Sequence, residues 1–425
     1  MLLQFTFGNF RSFKNKTTLN MKASRQWTPF KVGEKDGERV LPAAVIYGPN
    51  ASGKTNIIKA AGYMREIVLH GLHGANEMYP LTHCPFVHEL GDEPVLFEIA
   101  FIADGKHFEY QFAFTLSEPF SKECKCTIVS ECLALENELL FERTTDKITV
   151  SKTKKALELL GLSSAEQLNP LEESVNNNMS EKGLFLTGGL LSTISKAVAS
   201  KVTSFFRETL VVILEPNHIY TKYGVGANEA LYAIKTIADI GPQKFQVQQS
   251  KDDAQTEIIA VYDVGSKRNA KDIVQVPIKW TESLGTIQML HFTPMLLHAL
   301  QAGFVLLVDE LDASLHPELV TSIIATFNDE QLNPKRAQLV FTTHNLTYLN
   351  KDLLRRDQIL FTEKDEDYIS ELYSLADFGS DVVRNDGSFV KQYLKGNFGA
   401  LPTNSFAELA ALQADISRDE EVAEQ

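Results

Sequence analysis

Residues 46–55 read IYGPNASGKT, and this stretch decides how the rest of the chain is interpreted. Its glycines, lysine and threonine have the spacing Gly-x4-Gly-Lys-Thr, which is the spacing of a phosphate-binding loop. An apolar run at 43–46 predicts a buried strand before the loop, and residues 56–69 predict a helix after it. The motif requires this order of strand, loop and helix. The sequence therefore predicts a site for a nucleoside triphosphate.

Each residue type in the loop suits contact with phosphate. Gly48 and Gly53 allow backbone N–H groups to turn towards the phosphates, where the start of a helix adds positive potential. Lys54 is expected to reach the β- and γ-phosphates, and the Thr55 hydroxyl is expected to bind Mg2+. The predicted nucleotide-binding residues of the loop are Gly48, Asn50, Ser52, Gly53, Lys54 and Thr55.

A second motif, FVLLVDE at 304–310, is an apolar strand that ends in two carboxylates. Following a phosphate-binding loop, this pattern predicts that Asp309 lies in the Mg2+ shell. Glu310 is then expected to polarise the water that attacks the γ-phosphate. Metal ligation and proton abstraction are separate tasks, which accounts for two adjacent acids. The sequence thus predicts hydrolysis of the bound nucleoside triphosphate, with Lys54 and Glu310 among the catalytic residues.

The rest of the chain predicts an α/β fold with a mostly parallel sheet, because predicted helices and strands alternate after residue 283. Residues 95–150 instead alternate with period two around turn signals, which predicts an antiparallel β-lobe. A short helical arm is expected to follow. The predicted divisions are 1–94 and 256–401 for the two parts of the nucleotide-binding domain, 95–150 for the β-lobe, 151–255 for the arm and 402–425 for an acidic tail.

The composition is that of a soluble globular protein, with 425 residues of which 44% are hydrophobic and 23% charged. There is no apolar run of membrane-spanning length and no secretion signal, and four cysteines suit a reducing compartment, so a cytoplasmic location is expected. The net charge of −14 disfavours a surface dedicated to DNA, because DNA affinity depends on many Lys and Arg contacts. Two small basic clusters, Lys152 with Lys154–Lys155 and Arg355 with Arg356, are interpreted as solvated surface.

Several further motifs resemble those of ABC-type ATPase heads of the SMC, RecF and OLD group. They are most similar to bacterial OLD-like ATPases, which have an AAA15-type domain. The motifs are ESLGT at 282–286, LDASLHP at 311–317, TTH at 342–344, NFRSF at 9–13 and YLKGNFGA at 393–400. The first resembles the Ser-x-Gly-Thr signature of OLD-like ATPases rather than the Leu-Ser-Gly-Gly signature of transporters. Ser283 is expected to cap a helix, and Gly285 to permit close approach of a phosphate.

The resemblance implies a head-to-tail dimer with two ATP molecules sandwiched between the subunits, since the signature of one subunit meets the phosphate-binding loop of the other. The signature residues here are Ser283, Gly285 and Thr286. Asp312 would line the dimer seam, and His344 would contact the γ-phosphate and the attacking water. Arg11 would approach the nucleotide. ATP and Mg2+ are the implied cofactors.

The resemblance also implies a cellular function. Standalone heads of this kind resemble the ATPase subunits of PARIS-type anti-phage systems, in which a separate TOPRIM nuclease is held and released. The chain is therefore expected to be an ATP-driven switch or sensor that controls a separate effector, such as a nuclease, in bacterial anti-phage defence. The alternative is a DNA-binding ATPase of the RecF or SMC kind that acts in repair or recombination.

Two other sites are weighed and set aside. Cys124, Cys126 and Cys132 lack the spacing of a zinc site and lie on predicted strands. Residues 365–367, DED, are interpreted as a polar turn rather than the acidic pair of a TOPRIM nuclease, because an upstream catalytic Glu on its own strand is missing. The chain is therefore not expected to cut DNA itself.

Overall fold

The computed structural model of the chain describes residues 1–24, 34–78, 93–117, 125–214, 244–249, 256–263, 273–379 and 388–402, together with residues 32, 81, 85, 86 and 242. The strands in these ranges are β1 (Leu2–Gly8), β2 (Thr17–Asn20), β3 (Glu34–Lys35), β4 (Glu38–Arg39), β5 (Ala43–Tyr47), β6 (Val95–Ala103), β7 (Lys106–Ser117), β8 (Lys125–Leu135), β9 (Glu138–Thr144), β10 (Ile148–Val150), β11 (Leu210–Ile213), β12 (Lys244–Gln249), β13 (Thr256–Asp263), β14 (Ile273–Pro277), β15 (Val305–Val308), β16 (Gln338–Thr342), β17 (Ile359–Lys364) and β18 (Ser370–Ser374). The α-helices are α1 (Lys54–Met78), α2 (Lys154–Leu160), α3 (Ala165–Asn177), α4 (Lys196–Ser204), α5 (Ile278–Thr281), α6 (Leu284–Ala302), α7 (Pro317–Asn328) and α8 (Phe389–Leu394), and the two π-helices are π1 (Leu186–Ile194) and π2 (Phe205–Thr209).

A six-stranded sheet with the order β11-β15-β16-β5-β17-β18 forms the centre of the domain that is predicted to bind nucleotide. Its first five strands are parallel, and β18 runs antiparallel to β17. Strands β5, β15 and β16 are buried along their whole length. Such continuous burial is expected of parallel strands that are covered on both faces. The predicted mostly parallel α/β sheet is confirmed.

The register of the three central strands brings their carboxyl ends together. Val308 lies opposite Phe341 on neighbouring strands, and Thr342 lies opposite Ile46. The segments that follow β5, β15 and β16 therefore leave the sheet at one edge, which is where open α/β sheets bind ligands. These segments are the phosphate-binding loop, the acidic pair and the histidine segment of the sequence analysis.

The predicted β-lobe is also present, but it is not separate from the N-terminal strands. Its strands β6 to β10 continue into β1 and β2 to form one antiparallel sheet of seven strands. The turn at Asp104-Gly105 has positive φ at both residues, as a tight two-residue hairpin requires. The predicted division between residues 94 and 95 therefore falls within one sheet.

The arm begins as predicted with helices. Thr153 caps α2 by accepting a hydrogen bond from the N–H of Ala156, and Gly161 ends the helix in the left-handed conformation. Residues 210–213, within the predicted arm, instead form β11 and pair with β15 in the parallel sheet. A run of only four apolar residues does not distinguish a strand from a helix by its period, so the sequence pattern alone does not predict this strand.

Two further predictions need correction. Helix α1 continues to Met78 across a kink at Gly71, whereas the sequence predicts a helix only over residues 56–69. Arg355 is not solvated surface, because it is only 3% exposed and donates to both carboxylate oxygens of Asp357, at 2.8 and 2.7 Å. The two residues satisfy each other, which is how a buried guanidinium is tolerated.

Of the remaining predictions, one concerns a turn that the structure describes, and others concern residues outside the described ranges. The DED segment is the predicted polar turn, since Asp365 Oδ1 accepts hydrogen bonds from the N–H groups of Asp367 and Ile369. Cys124 and the acidic tail beyond residue 402 lie outside the described residues. None of the helices in the described ranges is both long enough and apolar enough to cross a membrane.

Candidate active site

The two glycines of the phosphate-binding loop are required by its contacts with neighbouring strands. A Cβ atom on Gly48 would lie 2.3 Å from the carbonyl oxygen of Thr362 on β17. Gly53 has a φ of +116°, and a Cβ atom there would lie 2.8 Å from Ser370 Oγ on β18. The loop can therefore approach β17 and β18 only because both positions lack a side chain.

Hydroxyl groups fix the loop in its place. The side-chain oxygens of Ser52 and Thr362 share a hydrogen bond of 2.6 Å, and Ser370 Oγ donates to the Ser52 carbonyl oxygen at 2.7 Å. The N-terminal turn joins this cluster, because Ser12 accepts from Ser370 N at 2.7 Å and from Asn56 Nδ2 at 2.8 Å. The loop is thus held by hydroxyl groups of β17 and β18, and the N-terminal turn bonds to residues beside it.

The loop offers donors that the protein does not use. The backbone N–H groups of Gly53, Lys54 and Thr55 donate to no acceptor among the described residues. The Lys54 side chain is buried, and its Nζ donates to the carbonyl oxygens of Gly48 at 2.8 Å and Pro49 at 3.0 Å. Unused N–H groups at a helix start, beside an ammonium group, form a site for an anion with several oxygens, such as a polyphosphate.

The acidic pair after β15 is positioned by strand β16. Thr342 Oγ1 donates to Asp309 Oδ1 at 2.6 Å and accepts from Glu310 N at 2.8 Å. Asp309 N donates to the carbonyl oxygen of Ile213 on β11, at 2.9 Å. Asp309 is buried, whereas Glu310 is exposed. One carboxylate is therefore fixed inside the edge of the sheet, and the other can reach water.

Electrostatic effects show that the predicted catalytic residues lie near one another. Burial lowers the pKa of Lys54 from 10.5 to about 8, and the charges of Asp309 and Glu310 oppose this change. Partial burial and the charge of Lys54 lower the pKa of His344, against the opposing charges of Glu310, Asp312 and Asp309. A lysine, two acids and a histidine from three segments of the chain thus meet at one edge of the sheet.

Asp312 and His344 lie at the rim of this cluster. Thr343 Oγ1 donates to Asp312 Oδ2 at 2.7 Å. Burial raises the pKa of Asp312, and the Thr343 hydrogen bond and the charge of His344 partly offset that rise. His344 is exposed, so its ring is accessible to a ligand bound over the loop.

The signature segment forms the start of α6, where it bonds within its own helix. Ser283 caps the helix as predicted, with its Oγ accepting from Thr286 N at 3.2 Å. A Cβ atom on Gly285 would lie 2.4 Å from the carbonyl oxygen of Ser314, so within the subunit this glycine admits the backbone that follows the acidic pair. Within the described part of the chain, none of these signature residues forms a hydrogen bond to residues 48–55.

Arg11 contacts the helix that follows the loop. Its Nη2 donates to the Tyr63 hydroxyl at 3.0 Å, and its guanidinium carbon lies 5.5 Å from the Tyr63 ring centroid and 5.7 Å from that of Phe10. Tyr63 is roughly 13 Å along the axis of α1 from Lys54, at about 1.5 Å per residue. The approach of Arg11 to the nucleotide stays a prediction.

The donors predicted for Mg2+ fit that ion. Asp309 Oδ2 and the Thr55 hydroxyl have no hydrogen-bond partner among the described residues, so both oxygens can bind a ligand. Mg2+ typically takes one or two protein oxygens and completes its shell with phosphate oxygens and water. The described ranges contain no group of three His, Cys, Asp or Glu residues that could hold a metal by themselves. A Mg2+ ion at this site would therefore depend on the bound phosphates.

Some residues of the site could not be identified from the sequence pattern. Thr342 bridges both acids, yet the TTH segment drew attention only to its histidine. A hydroxyl at the end of an otherwise apolar strand was the available signal, because buried hydroxyls need partners. Thr362 and Ser370 hold the loop from positions more distant along the chain, where no local pattern connects them to it.

Comparison with known proteins identifies a family whose model matches this chain. A protein-family model described as "AAA domain, putative AbiEii toxin, Type IV TA system" matches residues 43–156 and 190–350. The matched segments contain the phosphate-binding loop, the acidic pair and the histidine segment. No curated protein matches the sequence. One similar solved structure is the SMC head domain from Thermotoga maritima, with 12% sequence identity and a TM-score of 0.37 over 88% of this chain and 98% of that chain.

The two matched segments together make up more than half of the chain, and they contain the residues that form the site described above. The chain therefore belongs to the AAA-domain family described as putative AbiEii toxin, Type IV TA system.

Proposed function

We propose that the chain is an ATPase that closes a head-to-tail homodimer around two ATP molecules and acts as a switch or sensor for a separate effector in anti-phage defence. The observation that carries this proposal is the meeting of Lys54, Asp309, Glu310 and His344 at the ends of adjacent parallel strands. Membership of an AAA-domain family supports ATP as the substrate. The description of that family as a putative toxin of a toxin–antitoxin system supports a role in defence.

Each residue has a chemical task in hydrolysis. Lys54 exchanges its hydrogen bonds to the loop carbonyl groups for bonds to phosphate oxygens, while the N–H groups of the loop bind the same phosphates. Thr55 and Asp309 would hold Mg2+, which when bound neutralises phosphate charge. Glu310 polarises the attacking water, and His344 contacts the γ-phosphate and that water.

The signature segment supplies the argument for a dimer. The start of α6 is capped by Ser283, a residue that is exposed and has no hydrogen bond to the loop of its own chain. A long helix with an exposed N-terminus attracts phosphate. We therefore place Ser283, Gly285 and Thr286 against the ATP bound by a second copy. Asp312 would lie at the seam between the copies, and Arg11 would move towards the nucleotide.

The effector is a separate protein in this proposal, with a TOPRIM nuclease as the preferred candidate. The net charge of −14 disfavours a surface dedicated to duplex DNA, and Arg355 is paired internally with Asp357. A DNA-binding ATPase that acts in repair or recombination is the alternative, and it predicts DNA affinity that rises with ATP and falls steeply with salt.

ATP turnover by three proteins tests the assigned chemistry. We expect Glu310→Gln to lower kcat by at least about 100-fold while ATP binding persists, because it removes the base and keeps the shape. Glu318→Gln, an exposed acid at the start of α7, is the control and should turn over ATP at the wild-type rate. Undiminished hydrolysis by Glu310→Gln would refute the assignment of the base.

Affinity capture from the native host separates the two cellular functions. The Glu310→Gln protein would be recovered with ATP and Mg2+ present, and Lys54→Ala would serve as the control that cannot hold ATP. A stoichiometric protein partner that is lost with Lys54→Ala supports the switch. Salt-sensitive DNA without a protein partner would instead favour the repair ATPase.

A further inference from the structure

Tyr47 ends strand β5 directly before the phosphate-binding loop, and its hydroxyl group is buried without a partner. The residue is 1% exposed, and the centroid of its ring lies 6.1 Å from that of Phe361 and 6.4 Å from that of Tyr393. The side-chain oxygen forms no hydrogen bond with any of the described residues. Because buried hydroxyl groups are almost always paired, this donor indicates a second arrangement of the site in which an acceptor reaches it.

Asp312 is held on the same face of the parallel sheet as Tyr47. Thr343 comes directly after β16, and its N–H donates to the carbonyl oxygen of Ile46 at 3.2 Å, which places Thr343 next to Tyr47 on the neighbouring strand. Phe341, two residues earlier, packs in the same core cluster as Tyr47, so the Thr343 side chain points to that face as well. Thr343 Oγ1 donates to Asp312 Oδ2 at 2.7 Å. With strands about 4.7–4.9 Å apart, the Asp312 carboxylate lies within a short movement of the Tyr47 side chain.

The charge of Asp312 acts directly on the Tyr47 hydroxyl. Burial, and after it the negative charge of Asp312, raises the pKa of Tyr47, so the hydroxyl keeps its proton and remains a donor. Tyr348 and Tyr393 also act on it, but their hydroxyl groups already take part in hydrogen bonds of 3.3 and 2.6 Å with other residues. Among these three neighbours, Asp312 is the one that offers a carboxylate.

The turn that carries Asp312 has strained backbone on both sides of it. Glu310 has a φ of +48° and Ser314 a φ of +65°, which is the left-handed region that residues other than glycine rarely adopt. Strain of this kind is concentrated at active sites and in switch segments. Asp312 is only partly buried, whereas the Tyr47 ring is enclosed by its neighbours. A change of arrangement therefore moves Asp312 towards Tyr47 and leaves the tyrosine in place.

Binding of a triphosphate gives Asp312 a reason to move. Asp312 and His344 act on each other electrostatically, and His344 is also influenced by Lys54 of the phosphate-binding loop. Asp312 would therefore face several added negative charges once a triphosphate lies over the loop, and like charges disfavour each other. The unpaired donor of Tyr47 lies on the interior side of the carboxylate. Repulsion at the rim and the free hydroxyl thus favour the same displacement.

We propose that Tyr47 is a positioning residue whose hydroxyl donates to the Asp312 carboxylate when ATP is bound, in exchange for the hydrogen bond that Asp312 accepts from Thr343. Glu310 belongs to the same strained turn, so the new bond fixes the turn, and with it Glu310, in one arrangement. The inference rests on the proposed function, because ATP is the ligand that causes the exchange.

Tyr47→Phe removes only the oxygen and tests the proposal in the full chain carrying Glu310→Gln, so that ATP binding is measured without turnover. By calorimetry with ATP and Mg2+, we expect the Kd for ATP to rise at least about fivefold relative to Glu310→Gln alone, because the bound state loses a hydrogen bond to a charged group. Without nucleotide, the midpoint of denaturant unfolding should not fall, since the hydroxyl has no hydrogen bond there to lose.

Tyr393→Phe is the matched control, because it makes the same change in the same aromatic cluster at a hydroxyl that is already paired. Tyr393 Oη donates to the carbonyl oxygen of Ala400 at 2.6 Å, so this variant should lower the unfolding midpoint and leave the Kd for ATP unchanged. Asp312→Asn removes the charged acceptor. In that background Tyr47→Phe should raise the Kd less than about twofold, because residues that act as a pair are not additive.

Three results would each overturn the proposal: an unchanged Kd for Tyr47→Phe, an unfolding midpoint that falls in Tyr47→Phe, or additive effects of Tyr47→Phe and Asp312→Asn. A wild-type chain that binds ATP but neither hydrolyses it nor dimerises would instead refute the proposed function. The comparison of Kd values would still be valid in that case, so the two failures are distinguishable.

Discussion

At the scale of single residues, the site contains two kinds of group. Some belong to a motif that is continuous in the sequence, and others act through contacts with residues far away in the sequence. The glycines, Lys54 and the acidic pair were predictable, because the chemistry of phosphate binding fixes their spacing along the chain. Thr342 was not, because its task arises only when β15 and β16 pair. The burial of Arg355 is not predictable for the same reason, since charge patterning alone does not show that Arg355 and Asp357 form a buried pair.

Gly48→Ala tests the close approach of the loop to β17. The added Cβ atom would lie 2.3 Å from a backbone oxygen that cannot move freely. We expect a loss of about 1–3 kcal/mol in the free energy of unfolding, as for an overpacked site, together with loss of ATP binding. Gly8→Ala, whose new Cβ atom would be 3.4 Å from its nearest neighbour, is the control for denaturant unfolding and ATP titration. Equal stability of the two variants would contradict the geometry.

The pKa of His344, measured by NMR titration without nucleotide, tests the proximity of the charged groups. His344 should titrate below 6.5, because partial burial and Lys54 disfavour its protonated form. Lys54→Met removes a positive charge and should raise this pKa, whereas Glu310→Gln removes a negative charge and should lower it. Lys395→Met is the surface control and should have no effect. Shifts of the wrong sign would show that the cluster is not assembled as described.

At the scale of secondary structure, long elements with clear periods were predictable and short ones were not. The strands of the β-lobe alternate over many residues, and their hairpin turns are marked by residues that tolerate positive φ. Strand β11 has only four residues and follows directly on helical turns, so its apolar run predicts either structure. This run forms a strand because it pairs in parallel with the edge of β15.

The contact between β16 and the acidic pair predicts the effect of Thr342→Val. Valine has nearly the same shape as threonine but lacks the hydroxyl group. Asp309 and Glu310 would each lose a hydrogen bond, so we expect a loss of about 1–3 kcal/mol in the free energy of unfolding. The Mg2+ concentration that gives half-maximal ATP turnover should rise, because Asp309 is no longer oriented. Thr342→Ser should restore both properties.

Thr326→Val is the control for loss of a threonine hydroxyl, since Thr326 Oγ1 donates to the Ser322 carbonyl oxygen on the exposed side of α7, at 2.8 Å. If Thr342→Val required no more Mg2+ than Thr326→Val, the threonine would have no part in positioning the acid. A stability loss without a change in Mg2+ requirement would restrict Thr342 to a structural role.

At the scale of the whole molecule, two sheets join through the N-terminal segment. Strand β1 belongs to the antiparallel sheet, and Ser12 in the turn that follows it bonds to Asn56 on α1 and to Ser370 on β18, beside the phosphate-binding loop. The alternation of helices and strands predicted the parallel sheet, but no local pattern shows that two N-terminal strands will complete a lobe formed later in the chain. Long-range pairing of this kind depends on the whole set of strands.

The central claim is that ATP bound at the loop closes two copies of the chain head to tail. Sedimentation of the Glu310→Gln protein with ATP and Mg2+ tests it most directly, with Lys54→Ala as the control. We predict that Glu310→Gln doubles in mass on addition of ATP and that Lys54→Ala does not. A Glu310→Gln protein that binds ATP and stays monomeric at every concentration would contradict the account.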